Sequence, residues 1–267
     1  GYHRHTRDVI ARDTVRFVGE TVAVVVCESA YIAQDAIELV EVDYTPLPAT
    51  VRLEEATDPD RPRVHEAIES NLIFEGQFAT DGIDDAFRTA PHTLKERFRS
   101  GRVGGVPLEP RGCAALPEHG DSFIFYSSTQ IPHLLRTALA EYTGIAESNL
   151  RVVVPEVGGG FGTKAQIYPE EFVTLALAQH FRRPVKWVQD RREELLTDIH
   201  SRDHLYDVEI AFDDDGIVQG LRAEIWTNGG AYSTLPFGCT LETTGGARMI
   251  VGPYNITEYA YTARAVA

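Results

Sequence analysis

A mixed α+β fold is predicted for this chain of 267 residues, and three observations predict it. Strand-like and helix-like segments interleave along the whole length, with no internal repeat. Two long runs, about Asp203–Phe212 and Ile217–Thr227, flank Asp213-Asp214-Asp215-Gly216, and an Asp-Gly turn between alternating runs marks an antiparallel hairpin. A β-branched run, Val152-Val153-Val154, leads into four glycines within Gly158–Gly162 and then into a helix opening near Pro169. With 43% hydrophobic and 24% charged residues the chain can bury a real core.

Taken in order, residues 1–14 are polar and basic and read as a loop. Val15–Cys27 reads as two strands around Gly19-Glu20, the second apolar almost throughout, as in a strand buried on both faces. Ser29 is a plausible N-cap for a helix with apolar residues at Ile32, Ala33, Ala36, Ile37, Leu39 and Val40. Val40–Tyr44 returns to strand until Pro46 and Pro48, which completes a β-β-α-β scaffold unit. Residues 52–82 read as loop-rich, with the turn cluster Asp58-Pro59-Asp60-Arg61-Pro62, and mark a boundary between two lobes. A helix at Ile83–Ala90, a strand at His92–Val103, a rigid loop at Gly104–Gly112 and strands at Cys113–Leu116 and Ser122–Ser128 follow. A helix from Pro132 to Tyr142 stops before Gly144, and Leu150–Val154 is the strand that feeds the glycines. The helix Pro169–Phe181 has proline in its first turn and Glu170 and Glu171 at the positive end of its dipole. Pro184–Val188 is a strand, Asp190–Leu196 a short charged helix, and Tyr259–Val266 a last strand-like run. The pairs Gly229-Gly230 and Gly245-Gly246 read as loops.

A net charge of −15 and a pI near 5.0 argue against binding a nucleic-acid backbone, which needs clustered Lys and Arg. An anionic ligand would have to be held by local backbone donors. Cys27, Cys113 and Cys239 are far apart and form no CxxC pair, so neither an iron–sulfur cluster nor a structural zinc site is signalled. That sparse count fits a reducing cytoplasm. No apolar run reaches the ~18 residues of a membrane helix, and the first residues lack a signal-peptide pattern. Gly1 and the strand-like last residues read as mid-protein, so the expectation is a cytoplasmic fragment of a longer chain.

The glycine stretch is either a backbone cradle for a ligand or a plain strand-to-helix turn. Phe161 within it is odd for a linker. As a P-loop it fails, because Thr163 separates Gly162 from Lys164 and Ala165 follows. As a dinucleotide fingerprint it fails because Thr163 holds the third glycine position after Gly158 and Gly160, and a kinase loop fails at the same place. Gln130, at the end of a strand, could aim its amide donor at a ligand oxygen, though spacing alone favours an ordinary helix-start amide. Glu109 and Arg111 could orient a ligand or pair locally, local pairing being favoured; Asp190–Glu194 reads as a solvated salt-bridged face, and Asp213–Asp215 as a turn in preference to a calcium loop. His200 and His204 do not read as a metal site, and Ser127-Ser128 has no visible triad partners.

Several ordered motifs together carry a family likeness. Val18-Gly19-Glu20-Thr21-Val22-Ala23-Val24-Val25 and Ala36–Pro48 resemble an α/β hammerhead domain. Pro107-Leu108-Glu109-Pro110-Arg111-Gly112, Ser128-Thr129-Gln130-Ile131-Pro132-His133, Gly158–Lys164 and Arg183–Arg191 resemble the first part of a mixed α+β molybdopterin-binding domain. The chain thus resembles the large subunit of the xanthine dehydrogenase, aldehyde oxidase and carbon monoxide dehydrogenase family of molybdenum hydroxylases. The resemblance implies a partial hammerhead domain over 1–52, a connecting segment over 53–82 and the cofactor domain's first part over 83–267. It implies hydroxylation of a carbon centre with water-derived oxygen, at molybdenum with molybdopterin (the cytosine dinucleotide form). Electrons would pass to 2Fe-2S and FAD on partner chains or segments. Cofactor contacts would come from Gln130, Gly159, Gly160, Phe161, Gly162 and Thr163. Gln130 would bond an oxo-type ligand of the metal, and Phe161 would approach the metal through its backbone.

The same resemblance puts the general-base glutamate beyond Ala267, so no catalytic residue is expected in this chain and the isolated chain is expected to be inactive. The partners implied are the remainder of the large subunit and iron–sulfur and flavin subunits. Purine-oxidising members carry a glutamate directly after the loop lysine, where this chain has Ala165, which counts against a xanthine-type substrate. The alternative is a split or non-catalytic assembly module of such a complex.

Overall fold

The computed structural model describes residues 7–267. In chain order its helices and strands are α1 (Ala30–Ile37), β1 (Leu72–Ala79), α2 (Ile83–Thr89), β2 (His92–Gly104), β3 (Gly112–Pro117) and β4 (Phe123–Ser127). They continue with α3 (Pro132–Thr143), β5 (Leu150–Val153), α4 (Pro169–Phe181), β6 (Val185–Val188) and α5 (Arg191–Thr197). The last four are β7 (His200–Phe212), β8 (Val218–Asn228), α6 (Cys239–Arg248) and β9 (Tyr259–Val266). Two compact units result, each built from segments distant in sequence: Arg7–Pro48 with Gly105–Ile199, and Ala49–Gly104 with His200–Ala267.

The first unit holds a four-stranded sheet in the order β5-β4-β3-β6. Strand β3 is antiparallel to β4 and to β6, whereas β4 and β5 are parallel. A parallel pair needs a crossover, and α3 supplies it. Gly144 ends α3 with φ 74°, a left-handed cap that glycine adopts without a Cβ penalty. Alternation puts Cys113 and Ala115 of β3 and Phe123 and Phe125 of β4 into the core, where Leu135, Leu139, Leu150 and Leu175 meet them. Each fully buried side chain of this size contributes about 1.5–3 kcal/mol relative to exposure.

Ahead of this sheet the expected β-β-α-β unit forms only in part. Ser29 caps α1, its Oγ accepting from the Ile32 N–H at 3.3 Å. The strands expected in Val15–Cys27 and Val40–Tyr44 are absent; both stretches carry no ladder among the described residues. A strand exists only as part of a ladder, and a bond such as Ala11 N–H to Thr21 O at 2.8 Å does not by itself make one. No residue of α1 is buried. Residues 7–14 form the expected loop, and the rest of that loop, 1–6, lies outside the described residues.

The second unit holds a five-stranded sheet in the order β1-β9-β8-β7-β2, with β8 and β9 parallel and the other pairs antiparallel. The expected hairpin joins β7 to β8: Asp213 N–H bonds Ile217 O at 3.1 Å, and Gly216 adopts φ 80°. Two expectations are corrected here. The stretch 52–82 is not loop throughout, because β1 pairs along its length with β9. Gly245 and Gly246 lie inside α6, not in a loop. Glycine costs about 1 kcal/mol relative to alanine in a helix, but Thr243 and Ala247 of α6 are fully buried, Ala247 in a core with Leu221, Ala223, Ile225 and Ala263. Packing therefore offsets propensity. Among the described residues no helix is long and apolar enough to cross a membrane.

Candidate functional site

In the first unit the loops that follow the parallel strands β4 and β5 meet. Crevices beyond the carboxyl ends of adjacent parallel strands are habitual ligand sites. The loop after β4 carries Thr129 and Gln130; the loop after β5 carries Gly158–Lys164 and leads through a 3-10 turn (Thr163–Ala165) to α4. Gln130 N–H donates to Lys164 O at 2.8 Å and Thr129 Oγ1 donates to the same carbonyl at 3.3 Å.

The Gln130 side chain closes the contact. Its Oε1 accepts from Gly162 N–H at 3.1 Å. Only an oxygen can accept that bond, so the amide's orientation is fixed and its Nε2 donor is left without a partner among the described residues. A Cβ on Gly160 would stand 2.5 Å from Gln130 Oε1, so the two loops approach this closely only with glycine there.

The backbone between the anchors is unusual. Gly159, Phe161 and Gly162 have φ of 101°, 50° and 85°. A left-handed phenylalanine costs of order 1–3 kcal/mol and persists where its surroundings over-determine it. Phe161 is nevertheless 76% exposed, so no burial of its ring explains its place. The N–H groups of Gly159, Gly160 and Phe161 make no hydrogen bond among the described residues. Successive free N–H groups on a backbone whose φ changes sign form an anion-binding concavity. Thr163 is not part of that donor row: its N–H is spent on Gly160 O at 2.9 Å, and its side chain is buried.

Two charge networks support the loop, and both correct a sequence expectation. Glu109 and Arg111 do not pair with each other. Lys164 is 1% exposed, and its Nζ donates to Glu109 Oε2 at 2.7 Å. Burial works against the ionised Glu109, but the bonds from Lys164 and from Gly158 N–H outweigh it and hold its carboxyl below the usual range. Arg111 is also buried; its Nε donates to Asp198 at 2.7 Å, its Nη1 to Glu170 at 3.3 Å, and its guanidinium lies 3.5 Å over the Tyr168 ring. Two buried cations each require a carboxylate, and that demand overrides proximity in sequence. Glu170 is thus more than a helix-dipole acid, and so is Glu171. Glu171 accepts from Ser127 Oγ at 2.8 Å and from Tyr168 N–H at 3.1 Å, and burial pushes its carboxyl up to about 7. Tyr168 in turn donates from its hydroxyl to Thr163 O at 2.8 Å. The stretch Asp190–Glu194 is not simply a solvated face either: Glu194 is buried, and Arg191 reaches the carbonyls of Pro107 and Leu108 at 2.8 Å each.

The structure therefore brings together Gln130, Gly159, Gly160, Phe161 and Gly162. Nothing local in the sequence joins Glu109 to Lys164; the one signal is a lone lysine closing a glycine stretch in an acidic chain. The donor set can hold an anionic group through neutral N–H groups, without help from the net charge.

Residues 64–267 match the family described as the molybdopterin cofactor-binding domain, and residues 1–48 match the a/b hammerhead domain of aldehyde oxidase and xanthine dehydrogenase. The chain belongs to the molybdenum hydroxylase large-subunit family. It is 34% identical over 270 residues to the nicotine 6-hydroxylase large subunit of Paenarthrobacter nicotinovorans, covering 98% of this chain and 32% of that one. It is 36% identical over 239 residues to the carbon monoxide dehydrogenase large chain of Hydrogenophaga pseudoflava, covering 84% of this chain and 30% of that one. Among solved structures, quinoline 2-oxidoreductase from Pseudomonas putida 86 superposes with a TM-score of 0.95 at 35% identity, over 100% of this chain and 34% of that one. The chain spans about a third of the length of these relatives. The large-subunit fold expected from the sequence motifs is thus borne out.

Proposed function

We propose that this chain supplies part of a molybdenum–molybdopterin site in an oxidoreductase that hydroxylates a carbon centre of an aldehyde, an N-heterocycle or a similar small molecule with water-derived oxygen. One observation carries the reading: three consecutive free N–H groups, Gly159 to Phe161, beside the free Nε2 donor of Gln130 in a chain matched to the molybdopterin cofactor-binding family. These neutral donors fit an anionic cofactor, and the nearest carboxylate to the loop, Glu109, is already engaged. When bound, such a cofactor supplies a two-electron redox couple. The residues here bind and orient it: Gln130 through its amide, the loop through its backbone, and Gly162 by holding Gln130 in place.

The names of the relatives favour an N-heterocyclic substrate, because nicotine and quinoline are of that class. The proposal carries with it the cytosine dinucleotide form of the cofactor, iron–sulfur and FAD partner subunits, a cytoplasmic site of action and a catalytic base outside this chain. It also carries the division into hammerhead (1–52), connecting (53–82) and cofactor-binding (83–267) segments.

Gln130→Ala in the full-length protein with its partners tests the proposal. Dye reduction with an N-heterocycle is expected to fall about 10–100-fold, with loss of molybdenum from the purified complex. Unchanged turnover and unchanged molybdenum content would overturn it.

A further inference from the structure

The glycine loop departs from ordinary backbone at three positions and spends few of its own hydrogen bonds on holding shape, so something else must hold it. Glu109 touches both of its ends. Glu109 N–H donates to Gly158 O at 3.2 Å, and Gly158 N–H returns a bond to Glu109 Oε2 at 2.7 Å. The same oxygen takes the bond from Lys164 Nζ at 2.7 Å. A Cβ on Gly158 would stand 2.7 Å from Glu109 Cβ, so this approach also depends on glycine. The far end is tied again at the Lys164 carbonyl by Gln130 and Thr129. Between these ties lie the free N–H groups of Gly159, Gly160 and Phe161.

We infer that Glu109 is a positioning residue: a single carboxylate clamps the first glycine and the closing lysine of the loop, and so holds its free N–H row in shape for an anionic cofactor. The inference rests on the proposed cofactor site and adds the element that organises it in advance. Pre-organised donors need not be gathered when the anion arrives, which is where such sites gain their strength. Charge alone does not explain the arrangement. An ion pair is often replaced by apolar residues at little cost to stability, whereas the bond from Gly158 N–H ends on a side-chain oxygen that an apolar residue lacks.

Two double variants of the full-length complex separate clamp from ion pair. Glu109→Met/Lys164→Met removes both charges and the acceptor for Gly158. Glu109→Gln/Lys164→Met removes both charges but keeps that acceptor. Hydrogen exchange of the peptide spanning the glycine loop is measured on cofactor-free protein, and molybdenum content on protein from a replete host. With the clamp, the loop amides that are bonded in wild type, Gly162 and Thr163, exchange about tenfold faster in the Met/Met variant, and exchange elsewhere is unchanged. Its molybdenum content falls, and the Gln/Met variant restores both readouts. Loop exchange in Met/Met equal to wild type would overturn the clamp. Should Met/Met not fold, equal exchange in wild type and Glu109→Gln/Lys164→Met supports the clamp, and exchange as fast in the latter as in an unstructured peptide overturns it. Faster loop exchange with molybdenum content untouched in Met/Met and in Gln130→Ala alike would overturn the cofactor reading on which the inference rests.

Discussion

Gly160 has the least room of any residue in the loop, since a Cβ there would meet Gln130 at 2.5 Å. Gly160→Ala must therefore push Gln130 away and break its bond to Gly162. We expect molybdenum content to fall at least as far as in Gln130→Ala while the melting temperature moves by only a few degrees, which metal analysis and calorimetry would check. At the same scale Glu171 gives a pH dependence. Its folded-state carboxyl, near 7, lies above its ordinary value of 4.5, with burial as the main cause. The folded protein therefore holds that proton longer than the unfolded chain. The resulting stability is fully present below about pH 4.5 and is lost as pH rises through about 7, on the order of 3 kcal/mol in all. Glu171→Gln should flatten the decline of melting temperature between pH 5 and 8, and an unaltered slope would count against the assignment. The residue scale was legible only in part: the glycine stretch stands out locally as either cradle or turn, whereas Gln130 reads as an ordinary helix-start amide by spacing and as a cofactor contact only through the family motifs. The Lys164–Glu109 bond does not, because its partners are 55 positions apart and only the fold joins them.

Elements with local signals formed where the sequence places them. Proline in the first turn fixed the start of α4 at Pro169, Gly144 stopped α3, and the Asp-Gly turn made the β7–β8 hairpin. Elements that depend on distant partners did not read through. Strand β1 exists because β9 lies beside it, with Glu75 paired to Arg264, and no local pattern reveals that. The converse holds for Thr21–Cys27, where a strand-like composition forms no ladder among the described residues. The crossover α3 joins the two strands that carry the site loops, and its Leu139 is fully buried in the core with Phe123, Phe125 and Leu150. Leu139→Ala should cost about 2–5 kcal/mol. Denaturant unfolding would check this, and a loss below about 1 kcal/mol would show that the packing of α3 is loose.

At the scale of the whole molecule, composition excluded more than it identified. At a net charge of −15 an anionic ligand has to be met by local donors, which is the arrangement the loop presents. The order of strands in the five-stranded sheet was not legible, because β1 and β2 come from Ala49–Gly104 and β7, β8 and β9 from His200–Ala267, with all of Gly105–Ile199 between them. The central claim is that Gln130 and the N–H row of Gly159–Phe161 hold the cofactor. A cryo-EM map of the full-length protein purified with its partners and loaded with molybdenum tests it most directly. Cofactor density is expected within hydrogen-bond distance of Gln130 Nε2 and of the Phe161 N–H. Cofactor density elsewhere in the complex, with this loop touching only solvent or protein, would contradict it.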